Sequence, residues 1–162
     1  MSFTKSAVRS LHTWTHERFE ALLDHAATLP PELLTREVAG FGKACLRDQL
    51  VHMLASESTW IRGLEMLPRL AWRGSDYPTV EAIRGARREV QAATQAYIDR
   101  LDEAELNREI GQLPANWVGP PRSPAFIIVH VTTHAFHHKG QVVAMFRLLG
   151  YPAPDTDLQR AE

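Results

Sequence analysis

Cysteine is nearly missing from this chain: Cys45 is the only one in 162 residues. An intrachain disulfide is therefore impossible, and a cysteine-based zinc site is not expected. Long hydrophobic runs are missing too. No apolar stretch approaches the roughly 18 residues that a membrane helix needs. The first residues lack the charged-then-apolar pattern of a secretory signal. Together these absences predict a soluble, cytoplasmic protein with no membrane partner. Charge of one sign is not in excess, since 18 Lys+Arg stand against 19 Asp+Glu for a net −1. That balance argues against nucleic acid as a partner. The basic run Arg84, Arg87 and Arg88 has Glu81 and Glu89 interleaved, which reads as a solvated helix face. Strand-like alternation, internal repeats and low-complexity tracts are absent as well.

What is there is helical periodicity. Four long stretches carry it, at about 3–28, 43–67, 80–101 and 124–149. Residues 1–162 are expected to form a single domain. The fold class predicted is all-α, a four-helix bundle. Leu11, Trp14, Thr15, Arg18 and Leu22 line one face of the first helix, with Val8 and Phe19 beside them. Pro30 and Pro31 stop that helix, and one helical turn is expected from Pro31. Pro68 and the run from Arg73 to Asp76 end the second helix in a loop. Thr79 caps the third helix; Ser123 and Pro124 read as N-cap and first position of the fourth. Gly150 suits the position just past its end. The segment 102–122, with Gly111, Pro114, Gly119, Pro120 and Pro121, reads as a long loop and is expected to wall or rim a pocket. Trp14, Trp60, Trp72 and Trp117 are expected in the core or a pocket lining.

Histidine is concentrated. Four of the eight lie in nine residues: His130, His134, His137 and His138. On a helix they fall within roughly 100° of arc, together with Met145 and Leu148, so they are expected to point into the bundle. Rings at i and i+4 can converge on one metal ion. Unsatisfied buried imidazoles would cost about 1–3 kcal/mol each, which a metal would relieve. Spacing alone does not choose between the pairs His130/His134 and His134/His138. A bundle site also needs a ligand from a facing helix. The second helix offers His52, on a face with Cys45, Asp48, Gln49, Ser56, Thr59 and Gly63. That face is small and polar, as a cavity wall would be. Asp48, one turn before His52, is placed to orient its imidazole. His12 and His16 form another i, i+4 pair, but flank the apolar stripe and are expected in solvent, as is His25. Cys45 is expected to be a buried structural residue.

The stretch HVTTHAFHHKGQVVAMFRLLGYPAPDTDL resembles the C-terminal signature of the DinB/YfiT-like family. The resemblance rests on His130, His134, His138, Lys139, Gly140, Gln141, Gly150, Pro154, Asp155 and Asp157. Lys139 stands where the family usually has Arg. His52, Glu57 and Trp60 are similar to the family's H-x4-E-x2-W segment, and weaker similarity reaches Trp14 and Arg18. The resemblance implies a four-helix bundle with a divalent metal, zinc or nickel, held by His52, His134 and His138. His130 and His137 then become neighbours of the site. It also implies a homodimer.

Three histidines leave a coordination position open, as in catalytic zinc sites. The resemblance implies an enzyme that transfers a low-molecular-weight thiol to a small electrophile, with His130 or Asp48 as proton acceptor or orienter. Metal-dependent hydrolysis is one alternative, and a non-catalytic, stress-associated metal-binding bundle is another. Glu57, about 140° from His52 on its helix, is expected to brace the fold.

Overall fold

The computed structural model describes residues 2–111 and 120–158. Four long helices dominate them: α1 (Lys5–Ala27), α2 (Leu46–Leu64), α3 (Val80–Arg100) and α5 (Pro124–Leu148), with a short α4 (Glu103–Asn107). No strand occurs among the described residues. Helix α1 packs on α3 and α5, and α2 packs on the same two. So α1 faces α2 across the centre of a bundle, and its core holds Leu22, Leu23, Leu50, Leu54, Ile83 and Phe146. Full burial of such side chains stabilises by about 1.5–3 kcal/mol each.

The helix ends follow local chemistry. Thr79 accepts a bond from the backbone N–H of Ala82, and Ser123 from that of Phe126, with Pro124 opening α5. Gly150, at φ 91°, closes α5: its N–H bonds to Arg147 O and that of Tyr151 to Phe146 O. These two bonds make a Schellman stop, which glycine enters without strain. Ser123→Ala should cost about 1 kcal/mol through loss of the cap. Thermal unfolding should then show a fall of roughly 2–4 °C. An unchanged midpoint would show that Pro124 alone sets the helix start.

Three sequence expectations need correcting. The segment 102–122 is not all loop: Asp102 and Glu105 form a capping box that nucleates α4. Asn107 then exchanges two hydrogen bonds with the backbone of Phe3. Trp117 and residues 112–119, on which the pocket-wall expectation falls, lie outside the described residues. Second, Arg84 and Arg87 are half-buried between α3 and α1, where both pair with Glu20 and Arg84 also meets Asp24; only Arg88 is exposed.

Third, α1 turns a different face inward. Its buried residues are Val8, His12, Thr15, His16, Phe19, Leu22, Leu23 and Ala26, while Trp14 is 39% exposed. His25 is half-buried with its ring edge-on to Phe146. The cause is Glu57. It sits on the buried stripe of α2 with Leu50, Leu54 and Ile61, and a carboxylate there needs donors. Leaving such a charge unpaired costs about 3–5 kcal/mol, more than one half-exposed indole loses.

Candidate metal centre

Helix α5 is apolar over more than half its surface. Its buried stripe runs through Ile128, Val131, Ala135, Val142, Met145 and Phe146. That stripe is centred roughly 130° round the helix from His130. The histidines therefore do not point deep into the bundle, contrary to the sequence reading. His138, His134 and His130 fall progressively further from the core and are half-buried; His137 is exposed. This flank meets α2, which brings up His52 from the facing side.

His52, His134 and His138 converge. One ring nitrogen from each lies within 4.8 Å of the others. The ring centroids are 4.5 Å apart for His134 and His138, 4.6 Å for His52 and His138, and 5.3 Å for His52 and His134. The Nε2 atoms of His134 and His138 are 3.2 Å apart. On the far side of its ring, His138 Nδ1 lies 2.8 Å from Gln49 Oε1 and 2.7 Å from Gln141 Oε1. Gln141 turns its amide nitrogen to His137 Nε2, at 3.2 Å, which leaves its oxygen for His138. His138 thus donates from Nδ1 and keeps the Nε2 lone pair free. Gln49, fully buried on α2, lies on the expected His52 face, but nothing in its spacing marks a histidine partner 89 residues away.

Electrostatics keep the rings neutral. Burial, then His138 and Lys43, push His52 down to about 4. Burial, then the surrounding histidines led by His138, push His134 down to about 4. His138 is lowered by burial against the upward pull of its bond to Gln141, and His130 by burial. Neutral imidazole is the ligating form, so metal does not have to displace protons at neutral pH. Three neutral nitrogens at a half-open position are a donor set that borderline divalent ions such as zinc or nickel accept.

The other expected residues are placed as follows. His130 stands 6.3 Å from His134 by ring centroid, and its ring meets Trp60 edge-on at 5.3 Å. Asp48 shares with His52 a cavity of about 170 Å³, lined also by Lys43, Val51, Ala55, Trp72 and Gly74. Its Oδ1 accepts a bond from Arg47 Nε at 3.0 Å. A Cβ on Gly74 would meet that oxygen, so any larger residue there would displace the Asp48 carboxylate. Cys45 is buried at the N-cap of α2, and burial raises its thiol.

A sequence model of the DinB family matches residues 1–162. This chain belongs to the DinB family. Among solved structures, a conserved protein from Enterococcus faecalis is similar to this DinB-family chain at a TM-score of 0.68 and 20% identity. The likeness covers 93% of this chain and 99% of that one. At that identity it shows the fold. No curated protein matches the sequence.

The bundle also holds a cluster that the sequence reading placed in solvent. His12 and His16 are each 2% exposed and Glu57 is 4% exposed. His12 Nε2 is 2.8 Å from Glu57 Oε1, and His16 Nε2 is 3.0 Å from Oε2. Thr94, on α3, donates its hydroxyl to Oε1 at 2.6 Å. The available signal was Glu57 itself: a charge spaced three, four and seven residues from Leu54, Ile61 and Leu50 must lie on a buried face.

Proposed function

We propose that His52, His134 and His138 hold one divalent ion, zinc or nickel, and that the protein transfers a small thiol to an electrophile. The observation that carries the metal reading is the convergence of one ring nitrogen from each histidine, with Nε2 of His134 and His138 3.2 Å apart. When bound, the ion would supply Lewis acidity that favours the thiolate form of a substrate thiol.

The chain's own residues do the rest. Gln49 and Gln141 orient His138. Lys43, at the mouth of the small cavity, opposes protonation of His52 and His138, and the same field draws an anion inward. His130 stands beside the centre with its ring lowered towards the neutral form, where it is able to accept a proton. The Lys43 field favours an anionic nucleophile, thiolate and hydroxide alike, so the thiol panel separates transfer from hydrolysis.

The deciding assay is conjugation of an electrophile with a panel of small thiols, with and without chelator. The rate should fall at least tenfold on chelation and return with zinc or nickel. A chelator-insensitive rate would remove the metal from the reaction. Gln141→Leu tests the orienting bonds: metal affinity should drop about 10–100-fold while the helical content stays unchanged. Equal affinity would show that Gln49 alone holds the ring.

A further inference from the structure

The two i, i+4 histidine pairs of this chain are built alike. His12 and His16 have ring centroids 4.5 Å apart at 55°, and His134 and His138 have them 4.5 Å apart at 58°. Each pair is completed by one residue of α2: His52 for the outer pair, Glu57 for the inner. We infer that His12, His16 and Glu57 form a second, closed metal site in the middle of the bundle, with the Thr94 hydroxyl as a fourth oxygen.

Distances and charge both support it. Donors at about 2.0–2.1 Å from a tetrahedral ion lie about 3.3 Å from one another. The imidazole nitrogens stand 2.8–3.2 Å from the Glu57 oxygens, so small outward shifts admit the ion. Two nitrogens and a carboxylate are a donor set used by zinc. Glu57 also brings a buried carboxylate on which His12, His16 and Thr94 converge. Arg87, the nearby guanidinium, pairs with Glu20 and donates to Gln91 Oε1 and to the backbone carbonyl of His16.

The site's character follows from its surroundings. The adjoining void, lined by Thr15, His16, Phe19, Met53, Leu54, Glu57 and Ala135, measures about 10 Å³. That is room for at most one water and excludes a substrate. The ion is therefore structural, tying α1, α2 and α3 at one point. Both Nδ1 atoms are buried without a partner among the described residues, unlike that of His138. Anchoring of that kind is worth about 10–100-fold in affinity, so this site binds more weakly than the three-histidine centre by about that factor.

The test is zinc stoichiometry by equilibrium dialysis and elemental analysis, and it does not depend on the outer site. Wild-type protein should bind two zinc ions per chain in two affinity classes. The triple variant His52→Ala, His134→Ala, His138→Ala should keep the weaker one. In an otherwise wild-type chain, Glu57→Gln should lose the weaker ion and keep the tighter. One ion in the wild type and none in a helical triple variant would overturn the inner site. So would identical binding by wild type and Glu57→Gln. One ion in both wild type and triple variant would support the inner site and defeat the outer one.

Discussion

Glu57→Ala is expected to destabilise the metal-free protein by about 3–5 kcal/mol. Three donors converge on this one carboxylate: His12, His16 and Thr94. Removing it strands all three in a dry core and opens a cavity among them. Thermal unfolding should show a midpoint lowered by roughly 6–20 °C. A loss under about 1 kcal/mol would mean that water enters and satisfies the histidines.

The same residue sets the acid limb of stability. Burial pushes the Glu57 carboxyl up, but the His16 charge and the bonds from His12 and His16 overcome it. Its folded value lies well below the ordinary 4.5. A depressed carboxylate stabilises the fold above its unfolded value, and that contribution is lost as pH falls below about 4.5 towards the folded value. Wild-type stability should therefore decline on acidification through that window. The alanine variant should decline less steeply there, since it has lost the group responsible. Parallel acid limbs would show that Glu57 is protonated in the folded protein at neutral pH.

His134→Ala is expected to abolish metal binding at the outer site, with at least a hundredfold loss of affinity and no detectable chelator-sensitive thiol transfer. His134 completes the triangle with His52 and His138, and its loss leaves two rings with no shared third donor. Because His134 is half-buried, the fold should survive, with a midpoint within a few degrees of wild type. Elemental analysis of the purified variant reads the result. Retention of the tighter ion would sink the ligand assignment. Retention of the weaker ion alone is what the inner site requires. The pH profile gives a further check. His52 and His134 take up protons only near 4 and His138 below its ordinary value, so metal affinity should begin to fall at a lower pH than for unshielded imidazoles. A fall beginning near 6.5 would show that the rings are not shielded.

Much of the architecture was legible because local chemistry sets it. Thr79, Ser123, Pro124 and Gly150 each mark a helix end through a bond they make within a few residues. The all-helical class follows from the long periodic stretches. What failed was rotation about the helix axis. On α1 the stripe through Leu11, Trp14 and Arg18 is the more apolar in sequence, yet the one through His12 and His16 is buried. The choice lay in Glu57, on another helix and more than forty residues away. On α5 the histidine arc and the aliphatic arc overlap, so the sequence placed the cluster in the core and the structure puts it at the edge. The ligand pair within the cluster was likewise not readable from spacing, since His130 and His138 are equally distant from His134 along the chain. The contacts with His52 and Gln49 distinguish them, and both are products of packing.

Cys45 has a practical meaning for anyone assaying this protein. It is the sole thiol in the sequence, it is shut inside the N-terminal turn of α2, and burial keeps it in the unreactive protonated form. In the folded protein this thiol is therefore shielded from thiol reagents and electrophiles. Thiol consumed in a conjugation experiment then comes from the added co-substrate, and unfolding exposes the protein's own single thiol.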